Sequence, residues 1–107
     1  MAPGLSQVRV YVGDTADSLD DANIFNAMAT ENVAKQISVS WAWQPDDPAT
    51  DDVFFAEFAA QGQSLFVASG DDGAFDASIS PFFYPAEDAY VTSVGATHLT
   101  TNGTAGP

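Results

Sequence analysis

The chain has 107 residues, which suits one small domain or part of a larger one. Its 15 acidic residues against Arg9 and Lys35 give a net charge of −13, so nucleic acids and anionic membranes are poor partners. Cysteine is absent, which excludes disulfides and thiolate chemistry, and no apolar run is long enough to span a membrane. Because repulsion among carboxylates fades in acid, the composition fits an exported acid-tolerant protein or a halophilic cytosolic one.

The first half of the chain predicts a strand, a helix and a second strand. Residues 7–12 alternate valine with other residues, as a half-buried strand does. Helical spacing of apolar residues begins near Ser18, with Asp17 or Ser18 as the expected N-cap. Residues 37–41 form the second predicted strand.

The second half predicts a helix over residues 52–60, with Thr50 or Asp51 as its N-cap and Gly62 at its end. Three phenylalanines should form the packing face of this helix: Phe54, Phe55 and Phe58. A strand over residues 64–68, a long loop over 70–88 and a short strand over 90–94 follow.

Strands that alternate with helices predict an α/β fold with a mostly parallel sheet and crossover helices. Ligands of such sheets bind beyond the carboxyl ends of the strands. Two polar stretches fall at such ends, Ser-Trp-Ala-Trp at 40–43 and Ser-Gly-Asp-Asp-Gly at 69–73. The sequence therefore predicts that a ligand would bind at this edge of the sheet.

The Ser-Gly-Asp-Asp-Gly stretch has three interpretations. It could be a solvated turn in which Gly70 and Gly73 supply positive φ. Asp71 and Asp72 could instead hold a divalent metal ion, although no further ligand is evident. The third interpretation is an oxyanion site, in which an Asp serves as donor only while it is protonated.

Four segments in order carry a family resemblance. Residues 2–4 read A-P-G and are followed by the strand at 8–12, and residues 37–43 read I-S-V-S-W-A-W. Residues 58–73 read F-A-A-Q-G-Q-S-L-F-V-A-S-G-D-D-G, and residues 84–99 read Y-P-A-E-D-A-Y-V-T-S-V-G-A-T-H-L. With these segments the chain resembles the sedolisins, serine-carboxyl peptidases with a subtilisin-like fold.

The resemblance implies a partial subtilisin-like three-layer fold, with residues 1–107 as one partial peptidase catalytic domain and a flexible tail at 100–107. Asp71 stands where the family places its oxyanion-hole residue, whereas subtilisins place an Asn there. The implied substrate-binding residues are Ser40, Trp41, Ala42, Ser69 and Gly70. Ala42 and Ala96 replace glycines that the family usually has, which puts the fit of the substrate in question.

The catalytic Ser and the Glu/Asp pair of the family are expected outside this chain, which contains no Gly-Thr-Ser motif. Asp17 and Asp21 have the one-turn spacing of that pair, but they follow the first strand instead of preceding it. His98, the only histidine, is expected at the surface or in packing. Trp41 and Trp43 are either core residues or the wall of a substrate subsite.

The resemblance also implies a secreted enzyme that cleaves proteins or peptides at acidic pH, with a propeptide and a signal that this chain does not show. The calcium ion of the family belongs near the end of the full domain, so no metal ligand or other cofactor is assigned here. Alternatives are a catalytically inactive stand-alone α/β module for binding or structure, a subtilisin-type fragment, and a metal-binding α/β domain.

Overall fold

The structure is a computed structural model that describes residues 3–14, 20–42, 48–71, 84–98, 100 and 103. Its elements are α1 (Asp20–Glu31), β1 (Gln36–Val39), α2 (Pro48–Ala60), β2 (Ser64–Ala68) and β3 (Thr92–Val94). The predicted α/β class is confirmed. Neither helix in the described ranges has the length and apolar character needed to cross a membrane.

Both ends of α2 have local causes. The helix begins at Pro48, a residue preorganised for the first helical position, so Thr50 and Asp51 lie inside the first turn and their prediction as N-cap is wrong. At the other end Gly62 has a φ of 70°, and the Gln63 N–H donates to the Phe58 carbonyl at 2.8 Å. This is the glycine stop that the sequence predicted.

The α1 helix ends at Glu31, and Asn32 follows it with a φ of 46°. Val33 lies beyond the helix and is 52% exposed. The N-caps predicted for this helix, Asp17 and Ser18, lie outside the described residues. Buried Gln63 donates its side-chain amide to the Ala34 carbonyl at 2.9 Å and so joins the end of α2 to the chain after α1.

The three strands form a parallel sheet in the order β1-β2-β3. Ile37 aligns with Leu65 and Val39 with Val67, which places these four side chains on one face of the sheet. Both helices cover that face, because residues of α1 and of α2 share one buried cluster with these strands. The residues that complete the cluster are Phe25, Ala29, Phe55, Phe58 and Tyr84.

Aromatic rings make the centre of this core. Phe55 is fully buried and lies 5.0 Å from Phe25, ring centre to ring centre, in an edge-to-face arrangement. Phe58 lies 6.2 Å from the Phe25 ring in a similar arrangement. Such pairs add to the stabilisation from burial alone, so these rings join the two helices to each other and to the sheet.

The opposite face of the sheet has no covering layer among the described residues. Ser38, Phe66 and Thr92 align across the three strands on that face, and Ala68 aligns with Val94. Phe66 and Ala68 are half-buried, whereas Ser38, Thr92 and Val94 are exposed. The described residues thus supply two of the three layers that the resemblance implied.

The strand predicted over residues 7–12 is wrong, because this segment has no ladder partner among the residues that the structure describes. Its valines are strongly exposed, with Val8 at 72%, Val10 at 79% and Val12 at 84%. The segment is held from its other side, where Arg9 forms an ion pair with Glu31 of α1 and the Tyr11 hydroxyl donates to the same carboxylate. Alternating valines favour an extended strand, but a strand forms only when the segment pairs with a neighbouring strand.

Truncation of Phe55 tests the importance of the aromatic core. We expect Phe55→Ala to reduce the free energy of unfolding by about 3 to 5 kcal/mol, since it removes a fully buried ring. Val53→Ala on the same helix is the control, because Val53 is 60% exposed and should change stability by less than about 0.5 kcal/mol. Urea unfolding followed by circular dichroism measures both, and equal effects would contradict the described core.

Candidate functional site

The predicted site residues meet at the carboxyl edge of the sheet. β1 and β2 are parallel, and Val39 aligns with Val67, so the two strands leave the sheet side by side. Residues 40–42 follow one exit and residues 69–71 follow the next, and all six residues are exposed. The structure therefore brings together the described parts of the two predicted stretches, residues 40–42 and 69–71.

Gly70 redirects the chain at the end of β2. Its φ of 102° lies in a region that side-chain-bearing residues rarely adopt, so the glycine at this position has a conformational cause. Just before it, the Ser69 N–H donates to the Val94 carbonyl of β3 at 3.0 Å. The turn thus starts from an anchored point and places Asp71 in an exposed bend at the edge of the sheet.

The chemistry open to Asp71 depends on its proton. In water at neutral pH a carboxylate only accepts hydrogen bonds, whereas the neutral acid can also donate one. The metal interpretation relied in part on Asp72, which with Gly73 lies outside the described residues. Among the residues that the structure describes, no group of three or more His, Cys, Asp or Glu side chains is placed to hold a metal ion.

A cleft of about 430 Å³ lies beside the exit of β1. The cleft lies between residues 10–13 and β1, and α1 forms a further wall. Its lining is mostly apolar. Ser40 and Trp41 of the predicted substrate edge contribute to it. Sequence reasoning missed this cleft because it paired residues 7–12 with the sheet, and no local signal shows that they stand apart from it.

Trp41 is 53% exposed, so its interpretation as a core residue is wrong. It lies in the wall of the cleft, and its role in a substrate subsite stays a prediction. Trp43 lies outside the described residues. Asp21 lies in the first turn of α1 and also lines the cleft, whereas its proposed pair mate Asp17 is not described. His98 is exposed, as expected.

Comparison with known proteins gives two related peptidases. The chain is 32% identical to xanthomonalisin from Xanthomonas sp. (strain T-22) over 140 residues, which include 97% of this chain. It is 34% identical to sedolisin from Pseudomonas sp. (strain 101) over 113 residues, which include 91% of this chain. No family model and no solved structure matches the chain.

These relatives confirm the resemblance that the motifs carried. Both are sedolisin-family peptidases, and over the stretch that they share this chain is a sedolisin-like sequence. The chain spans 17% of the first relative and 19% of the second. The first alignment is longer than this chain of 107 residues, so that relative carries additional residues within the matched stretch.

Substitution of Gly70 tests whether the turn at the site needs a glycine. Gly70→Ala should lower stability by about 1 to 2 kcal/mol, because alanine in the left-handed region is strained. Gly95→Ala is the matched control, since its added Cβ would meet only the Ser69 Oγ, at 3.8 Å. Thermal unfolding and the amide shifts of residues 69–71 measure the effect, and a Gly70 variant as stable as the control would contradict the turn.

Proposed function

We propose that this chain supplies the oxyanion-stabilising strand exit and the substrate-binding edge of a serine-carboxyl endopeptidase that acts in acid. One observation carries this proposal. The positive φ of Gly70 at the end of the central strand places Asp71 in an exposed bend, beside the exposed exit of β1. A side chain in that position can reach a ligand that lies across the carboxyl edge of the sheet.

The proposed chemical role of Asp71 is to donate a hydrogen bond. When a serine oxygen attacks a peptide carbonyl, the carbonyl oxygen takes up negative charge, and a donor aimed at it lowers the barrier. Asp71 can donate only as the neutral acid, so the activity would require a pH low enough for this carboxyl to hold its proton. The surplus of negative charge in the chain fits such a setting, since repulsion among carboxylates weakens there.

The proposed substrate is a protein or peptide in extended form. Residues 40–42 follow β1 and are exposed, so their backbone N–H and C=O groups could pair with an added strand. Trp41 and the neighbouring cleft offer an apolar surface for a substrate side chain. Ser69 and Gly70 would form the facing side of the same groove.

Among the described residues one face of the sheet is uncovered, which supports the idea that further parts of a catalytic domain pack there. Parallel sheets are normally covered on both faces, whereas α1 and α2 cover only one face of this sheet. The other face combines half-buried Phe66 with small residues, which leaves room for a closely packed helix. We propose that the layer over that face includes the segments with the nucleophilic Ser and the Glu/Asp pair.

The remaining expectations from the family resemblance are part of this proposal. The parent enzyme would be secreted and would have a propeptide, and its calcium ion would be bound outside residues 1–107. The DNA on either side of the coding segment tests this arrangement. An upstream Glu-x-x-x-Asp and a downstream Gly-Thr-Ser in the same frame would support it, whereas in-frame stop codons on both sides would favour the stand-alone module.

Replacement of Asp71 in the peptidase that carries this segment tests the oxyanion role. We expect Asp71→Ala to reduce kcat by about 10²- to 10³-fold with little change in KM, because the donor acts mainly on the transition state. Asp71→Asn should keep part of the activity and extend it toward neutral pH, since an amide donates in any protonation state. Peptide hydrolysis measured from pH 3 to pH 7 distinguishes these outcomes.

Glu57→Gln is the control for this series, because Glu57 is an acid on α2, away from the carboxyl edge, and its change removes the same unit of charge. It should leave both kcat and KM unchanged. If Asp71→Ala raised KM and left kcat intact, Asp71 would be a ground-state binding residue and the oxyanion role would be wrong.

A further inference from the structure

Asp21 is the one charged residue among the described residues that line the cleft beside the exit of β1. It lies in the first turn of α1 and is half-buried. The rest of the described lining consists of apolar side chains, a glycine, Tyr11 and two serines. A single carboxylate thus borders a mostly apolar space, and the oxyanion chemistry proposed for Asp71 does not use it.

The start of α1 accounts for part of the Asp21 side chain. Its Oδ1 accepts the N–H of Ala22 at 2.8 Å, which satisfies one of the free amides at the beginning of the helix. The positive end of the helix dipole also favours a negative charge in this turn. These contacts fix the carboxylate at the border of the cleft, but they do not supply a positive charge against it.

No basic side chain of the protein balances this charge. Arg9 pairs with Glu31, and Lys35 bonds Asn32, and these two are the only arginine and the only lysine in the chain. A carboxylate that is partly removed from water is costly unless a cation or other donors replace the water. The cation that would best match Asp21 must therefore come from a ligand.

The rest of the cleft matches the uncharged part of such a ligand. Its volume of about 430 Å³ is within the range of sites for small ligands. Val12 on one side and Ile24 and Met28 on α1 offer apolar surface to an aliphatic chain. Trp41 is 53% exposed in the wall, and the face of an indole ring attracts a nearby cation. Arginine and lysine combine such a chain with a cationic end.

The outer wall of the cleft is held in place by contacts with α1. Arg9 forms an ion pair with Glu31, and the Tyr11 hydroxyl donates to the same carboxylate. Tyr11 lines the cleft, but its hydroxyl is already engaged in this contact, and the charge of Glu31 is balanced by Arg9. Asp21 is therefore the group in the lining that offers a negative charge to a ligand.

We propose that the cleft is a subsite for a basic side chain of the substrate, with the stem of an arginine or lysine along the apolar wall and its charged end between Asp21 and Trp41. This inference rests on the proposed function, because an extended peptide along residues 40–42 would bring its side chains to the wall formed by Ser40 and Trp41. Charge complementarity selects the occupant, since like charges are repelled and a cation is attracted.

Binding of two peptides to the full 107-residue chain at about pH 6, followed by NMR, tests the inference. The probes are capped alanine peptides with either arginine or citrulline at the centre, since citrulline has nearly the same shape without the charge. The arginine peptide should bind about fivefold to tenfold more tightly and shift the signals of the Trp41 indole and the Ala22 amide. This preference should shrink at high salt. Equal affinities for the two peptides would overturn the proposal.

Asp21→Asn removes the charge and keeps an oxygen that can accept the Ala22 N–H, so the start of α1 should persist. This variant should bind the arginine peptide only as tightly as the citrulline peptide, whose affinity should not change. Glu57→Gln on α2 removes the same charge outside the cleft lining and should keep the wild-type preference. If both variants lost the preference equally, general attraction to the acidic chain would be its cause and the subsite would be wrong.

The outcomes separate this inference from the proposed function. If both peptides bound equally and shifted Trp41, the cleft would be a subsite without a preference for charge, and only the inference would fail. If the arginine peptide bound at Asp21 while Asp71→Ala left the kcat of the peptidase unchanged, the oxyanion role would fail and the inference would stand. Binding of neither peptide would overturn the inference, and the kinetics of the Asp71 variants would still decide the oxyanion role.

Discussion

The packing of aromatic rings between α1, α2 and the sheet is the interaction on which the rest of the structure depends. Phe25, Phe55 and Phe58 hold both helices against one face of the sheet. β1 and β2 pair in parallel on this support, so their carboxyl ends meet at one edge of the sheet. The site at this edge therefore follows from a core that contains none of its residues.

Charge is the second constraint, and it acts differently in two places. The lowered pKa of Glu31, which arises from its bonds to Tyr11 and Arg9, makes the attachment of residues 8–12 strongest above the ordinary range of glutamate and weaker as the pH falls. Burial raises the pKa of Asp88 in the turn before β3, so this carboxyl favours the folded state at low pH. In a chain with net charge −13, acidification therefore acts in opposite directions on these two carboxyls.

Local signals predicted the elements that local chemistry controls. The apolar run of β2, the glycine that ends α2 and the positive φ at Gly70 each depend on a few neighbouring residues, and each is found where the sequence places it. The strand at residues 7–12 is absent because its formation depends on a distant partner. The cleft beside Trp41 and the burial of Asp51 also arise from tertiary contacts, which no short pattern encodes.

The scarcity of basic residues has a practical consequence. A protease that cuts after Arg or Lys meets only two such residues here, Arg9 and Lys35. Gln36, which follows Lys35, lies in strand β1. Val10, which follows Arg9, is 79% exposed in a segment that is not part of the sheet. Digestion should therefore begin at the bond after Arg9, and the rate of that single cut reports how firmly the N-terminal segment is held to α1.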